Sequence, residues 1–171
     1  MPTDVFRGLE ALVVDDEADV RELVAEFLRG RGLQTATAHD GRAAVAALER
    51  SGGRYMLILT DINMPGADGL AVLRAARAAN PSAYVIIITG YASLDSAIQA
   101  VRLGAHDYLT KPFSLGQIDV VLQKIADRVA LENENRALTA RASGASGSIE
   151  ARLDAIDRRL AVIEGLLTKS S

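Results

Sequence analysis

Cysteine and tryptophan are absent from the 171-residue chain, and it has only two histidines, four tyrosines and three phenylalanines. Without thiols there is no disulfide and no thiolate metal site. The two histidines, His39 and His106, lack the spacing of a metal pair and read as loop or surface residues. A basic excess is missing too: 19 Lys and Arg against 22 Asp and Glu leave a formal net charge of -3, so the electrostatic footprint of a nucleic-acid binder is not there. The longest apolar runs, such as "YVIII" at 84–88, are far too short to cross a bilayer. No charged-then-apolar leader opens the sequence, which sets the cytoplasm as the expected compartment and excludes a membrane partner.

What is present is the composition of a folded domain, 49% hydrophobic and 24% charged, with room for one domain and an appendage. Strand-like runs lie at 10–14, 34–38, 55–60, 84–89 and 107–110, and the central ones are nearly continuous in Ile, Leu and Val, as parallel strands covered on both faces require. Amphipathic stretches separate them. Val20, Leu23, Val24, Phe27 and Leu28 mark the first helix; Asp40, Asp68 and Ser93 are placed to cap the next three, and Ser114 with Gln117 reads as a capping box for a fifth. Five strand–helix units predict an α/β, doubly wound parallel sheet.

In such sheets sites lie outside the carboxyl ends of the strands. The first strand ends in Asp15 and Asp16, the third in Asp61 with Asn63 two residues on, the fourth in Thr89, and the fifth leads to Lys111. Singly, each has a plainer reading: an acid capping a helix, a threonine of good β-propensity, a solvated lysine. Together on one rim they form a chemistry. Three crowded carboxylates raise one another's pKa unless a cation sits among them, and all-oxygen ligation selects Mg²⁺ or Mn²⁺. An ionised Asp61 needs no general base to act as a nucleophile, and Lys111 and Thr89 can neutralise an incoming phosphoryl group.

Four motifs then carry a resemblance. "VVDDE" (13–17), "LTDINMPGADGL" (59–70), "IIITGY" (86–91) and "DYLTKPF" (107–113) closely resemble the receiver domain of bacterial two-component response regulators, over roughly residues 8–128. The stretch 88–113 is most similar to receivers of the nitrogen-regulatory type. The resemblance implies a flavodoxin-like five-stranded sheet in the order 2-1-3-4-5. It implies Asp61 as phospho-acceptor, with Asp15, Asp16, Asp61 and the Asn63 backbone carbonyl addressing Mg²⁺. It further implies Thr89 as switch hydroxyl, Lys111 as phosphate-binding lysine before a cis Pro112, and Tyr108 as aromatic switch. Tyr91 is open to two readings, shielding of the acyl phosphate or packing.

The expected organisation is a receiver over 1–128, a helical extension over 129–142, a flexible linker over 143–148 and a coiled-coil helix over 149–169. In that last segment Ile149, Leu153, Ile156, Leu160, Ile163 and Leu167 are spaced 4, 3, 4, 3, 4. With Leu at a and Ile at d, acidic e positions meet Arg at g only between parallel chains, and the Leu/Ile choice shifts preference beyond two strands. A parallel homotetramer is therefore expected; an amphipathic helix folded back on the domain is the alternative.

The functional expectation is a phosphorylatable receiver that takes its phosphoryl group from a histidine kinase or phosphotransfer protein and signals through a downstream protein. It would not be an enzyme beyond slow self-phosphorylation and self-dephosphorylation. Two alternatives are an N-terminal fragment of a DNA-binding transcriptional regulator and an aspartate-nucleophile phosphatase. The phosphatase would need an acid where Asn63 stands. A flavodoxin-like electron carrier is disfavoured because Asp15, Asp16 and Glu17 would repel a flavin phosphate.

Overall fold

The computed structural model describes residues 3–90 and 93–140. Strands β1 (Glu10–Val14), β2 (Gln34–Ala38), β3 (Tyr55–Thr60), β4 (Tyr84–Thr89) and β5 (Asp107–Thr110) form one parallel sheet in the order β2-β1-β3-β4-β5. Between them run α1 (Ala18–Gly30), α2 (Gly41–Arg50), α3 (Gly69–Ala79) and α4 (Leu94–Arg102). Residues 115–140 are helical as well and are called α5. All five strand ranges match the apolar runs of the sequence. Every residue of β4 is buried, and β1 and β3 are nearly so, which is why those runs are unbroken. The edge strands β2 and β5 are the more exposed ones.

Local chemistry sets the helix starts. The Asp40 carboxylate accepts from Ala43 N, that of Asp68 from Ala71 N, and Ser93 forms a reciprocal capping box with Ser96. Ser114 and Gln117 exchange the two bonds expected of their spacing, at 2.9 and 3.3 Å. At the end of α4, Gly104 has φ +88°, a left-handed conformation that favours glycine.

One helix departs from its expected role. Leu94, Ile98 and Val101, the apolar positions of α4, are exposed (77%, 40% and 68%), and the small Ala100 is its buried residue. The periodicity is helical, but the stripe faces solvent.

The chain divides into two units after Asp127. Of the second, residues 128–140 are described, and they are helical. Leu131 and Leu138 are exposed there, and Arg128 and Glu132 pair one turn apart. Tyr91, the linker 143–148 and all six tail positions from Ile149 to Leu167 lie outside the described residues. Among the described residues no helix is long and apolar enough to cross a membrane.

Candidate functional site

The backbone ladder continues one residue past three strand ends. Asp15 N donates to Ala38 O (3.3 Å), Asp61 N to Val14 O (3.0 Å) and Lys111 N to Thr89 O (2.8 Å). Asp15, Asp61 and Lys111 therefore leave the sheet from fixed peptides, on one rim. Behind Asp61 the packing is close enough to exclude any side chain at residue 69: a Cβ on Gly69 would fall 2.0 Å from the Asp61 carbonyl oxygen. Gly69 N also donates to Ile62 O at 2.9 Å, so the first turn of α3 clamps the peptide after the aspartate.

One carboxylate oxygen from each of Asp15, Asp16 and Asp61 lies within 4.8 Å of the others. Asp15 and Asp61 are buried and Asp16 is exposed. Lys111 enters this cluster with its side chain only 14% exposed; Nζ lies 2.9 Å from Asp15 Oδ2, 3.0 Å from Asp61 Oδ2 and 2.7 Å from Glu17 Oε1. The Lys111–Pro112 peptide is cis, as the resemblance implies. The other Asp61 oxygen, Oδ1, accepts from Asn63 N at 3.0 Å, while the Asn63 side-chain amide donates to Thr89 Oγ1 at 3.3 Å. Thr89 is fully buried.

The electrostatics follow from burial. Burial pushes the Asp15 carboxyl above its ordinary range, and the hydrogen bonds from Lys111 and Glu17 N only partly offset it. For Lys111 burial acts downward, yet the hydrogen bonds to Glu17, Asp15 and Asp61 outweigh it and hold the ammonium above the usual lysine range.

The remaining expected residues are nearby or accounted for. Tyr108 on β5 is half-buried, its hydroxyl 3.2 Å from Ser96 Oγ in the first turn of α4. His106 sits in the loop before β5, half-buried with its ring edge-on to Tyr84 at 4.9 Å, so it is less of a surface residue than its sequence context implies. His39 is exposed. The sequence shows Glu17 in the acidic run after β1 but not its contact with Lys111, and it does not point to Arg21. Arg21 Nη1 donates to the Asp15 carbonyl at 2.8 Å and so braces the acidic turn from α1. Arginine on a helix carries no signal for that contact; Glu17, adjoining the acid pair, carries a faint one. Beside the cluster a groove of about 630 Å³ is lined by Glu17, Val20, Leu23, Gly90, Lys111 and Pro112.

The three carboxylates fit a hard divalent cation. All ligand atoms are oxygen, and exposed Asp16 leaves a solvent route for a partly hydrated ion.

Comparison with known proteins agrees with this geometry. A family profile described as the response regulator receiver domain matches residues 11–123. The transcriptional regulatory protein ZraR of Escherichia coli K12 is 34% identical over 141 residues, covering 82% of this chain and 32% of that protein. The DNA-binding transcriptional regulator NtrC of Salmonella typhimurium is 38% identical over 112 residues, covering 66% and 24%. The chain thus spans about a third or less of these relatives' length. A CheY-like receiver domain from Methanospirillum hungatei JF-1 superimposes with a TM-score of 0.68 at 26% identity, over 73% of this chain and 98% of that one.

Proposed function

This chain belongs to the response regulator receiver family and fits the nitrogen-regulatory type of receiver, and on that premise we propose that Asp61 accepts a phosphoryl group from a histidine kinase or phosphotransfer protein. The observation that carries this reading is the convergence on one buried carboxylate of the Lys111 ammonium and the Asn63 amide, each at 3.0 Å, beside Asp15 and Asp16. An Asp61 oxygen attacks phosphorus; the new P–O bond forms as the bond to the donor imidazole breaks, and the imidazole leaves. Lys111 donates to the phosphoryl oxygens, and Thr89, already poised on Asn63, turns its hydroxyl to them. Asp15, Asp16, Asp61 and the Asn63 carbonyl would hold Mg²⁺ or Mn²⁺, which when bound neutralises phosphoryl charge. Tyr108 follows Thr89 and links the event to α4 through Ser96, in a two-state equilibrium read by a downstream protein.

The domain reading is proposed likewise: receiver 1–128, helical extension 129–142, linker 143–148 and coiled coil 149–169, assembling as a parallel homotetramer through Ile149, Leu153, Ile156, Leu160, Ile163 and Leu167. Sedimentation equilibrium of the full chain should give four copies; a strict monomer at high concentration would refute assembly. The names of the relatives favour a second reading of the output, in which the chain is the receiver segment of a longer transcriptional regulator; a reading frame continuing past Ser171 into a DNA-binding segment would decide for it.

Phosphorylation is tested by intact-mass spectrometry after acetyl phosphate and Mg²⁺. Wild type should gain one phosphoryl group, Asp61→Ala none, and chelation should prevent the gain. A phosphate adduct persisting in Asp61→Ala would overturn the acceptor assignment.

A further inference from the structure

We infer that Arg21 is a positioning residue for Asp16, holding the exposed acid of the rim where a divalent ion can be bound; the inference rests on the metal reading above. The other two candidate carboxylates are tied directly. Asp15 Oδ1 accepts from Glu17 N at 2.9 Å, and Asp15 Oδ2 lies 2.9 Å from Lys111 Nζ. Asp61 Oδ1 accepts from Asn63 N at 3.0 Å, and Asp61 Oδ2 from Lys111 Nζ at 3.0 Å. Asp16 differs. It is exposed, and among the described residues its carboxylate has no hydrogen bond or ion pair. Where that carboxylate points is therefore left to the backbone of Asp16.

That backbone is set from both sides of Asp15. Asp15 N donates to Ala38 O at 3.3 Å, and the Asp15 carbonyl accepts from Arg21 Nη1 at 2.8 Å. The peptide between Asp15 and Asp16 is planar, so a bond that fixes the Asp15 oxygen also places the Asp16 Cα. Arg21 reaches it from inside α1, where its own N donates to Glu17 O at 3.0 Å, so the acidic turn is tied to a rigid helix. The Asp15 carbonyl is not one of the oxygens that would hold the ion. The bond can thus persist with the ion bound and with Asp61 phosphorylated.

Charge alone argues against an arginine here. A cation near the start of a helix opposes the helix dipole, and beside three acids it repels a divalent ion. The two effects of Arg21 on the ion are opposite in sign: its charge weakens binding and its hydrogen bond prepares a ligand. Partners that orient metal ligands contribute about ten- to a hundredfold in affinity. The lower end, about tenfold, is expected here because Arg21 acts through the peptide rather than on the carboxylate.

The test uses Mn²⁺ alone, since EPR counts the free aqueous ion and no turnover is involved. The full chain is compared as wild type, Arg21→Met, Arg21→Lys, Asp16→Asn and the double variant of Arg21→Met with Asp16→Asn. Wild type should bind one Mn²⁺ that Mg²⁺ displaces. Arg21→Met, which lacks both charge and donor, should bind about tenfold more weakly. Arg21→Lys keeps the charge but ends one bond short of the carbonyl, and it should also bind more weakly than wild type. With Asp16→Asn already in place, Arg21→Met should cost less than about twofold, because the carboxylate it orients is gone. A loss caused by a damaged fold would be the same in both backgrounds. The inference is overturned if Arg21→Met binds as tightly as wild type or more so, if Arg21→Lys keeps wild-type affinity, or if the tenfold loss persists beside Asp16→Asn. A wild-type chain that binds no Mn²⁺ would overturn the metal reading itself, and this inference with it.

Discussion

The acidic rim and the outer face of α4 break the usual rule of burial in opposite directions. At the rim, Asp15, Asp61 and Lys111 are charged groups with side chains only 5–14% exposed. On α4, Leu94, Ile98 and Val101 are apolar and 40–77% exposed. Stability alone would favour the reverse in both places. The rim is held together by mutual pairing, so each charge there depends on its neighbours. The α4 positions have no such charge pairing and are open to solvent among the described residues. Tyr108 lies between them, its hydroxyl on Ser96 of α4 and its strand leading to Lys111. Under the proposed function these would be the two ends of a switch.

If that contrast is right, substitutions at the two regions should differ sharply. The largest effect is expected for Lys111→Ala, which leaves Asp15 and Asp61 buried without an ammonium. In chelator it should lower stability by about 3 kcal/mol in denaturant titrations, with Mg²⁺ restoring much of the loss. An unchanged midpoint would mean the ion pairs are not what holds the rim.

Asp15→Asn should act the other way. Burial raises the native Asp15 carboxyl above its ordinary value of 3.8. A carboxyl raised on folding binds its proton more tightly in the native state, so its contribution to stability is present below the unfolded-chain value and is lost as pH rises through the native one. At neutral pH the charge therefore opposes folding. The amide should raise stability by about 1 kcal/mol, or several degrees in thermal melts, with the advantage opening as pH climbs above the ordinary value. The same variant should lose Mg²⁺ affinity by tenfold or more in calorimetric titrations. A variant less stable than wild type at neutral pH would show that the Asp15–Lys111 pair outweighs desolvation. The smallest effect belongs to α4: Leu94→Ser and Val101→Ser should each change stability by no more than about 0.5 kcal/mol. A larger loss would mean that this face packs inside the domain.

The contrast also explains how much could be read from the sequence. The strands and caps are local signals, and Asp40, Asp68 and Ser93 bond within three residues of themselves. The rim residues were legible because crossover topology brings strand ends together wherever the strands are. Glu17 is visible in the acidic run after β1, but its contact with Lys111 is not, because that partner is 94 residues away and no periodicity encodes it. In the sequence Gly69 merely follows the Asp68 cap; that its missing side chain lets α3 abut the Asp61 carbonyl is a matter of packing. For α4, helical spacing revealed an apolar stripe but not which way it points.

The central claim, that Asp61 is the residue that carries the phosphoryl group, is tested most directly by trapping the acyl phosphate. Borohydride reduction after acetyl phosphate treatment converts a phosphorylated aspartate to homoserine, which peptide mass spectrometry can locate. Homoserine at position 61 and at no other aspartate is the expected result. Homoserine at Asp15 or Asp16, or none in a folded, Mg²⁺-loaded chain, would contradict the account.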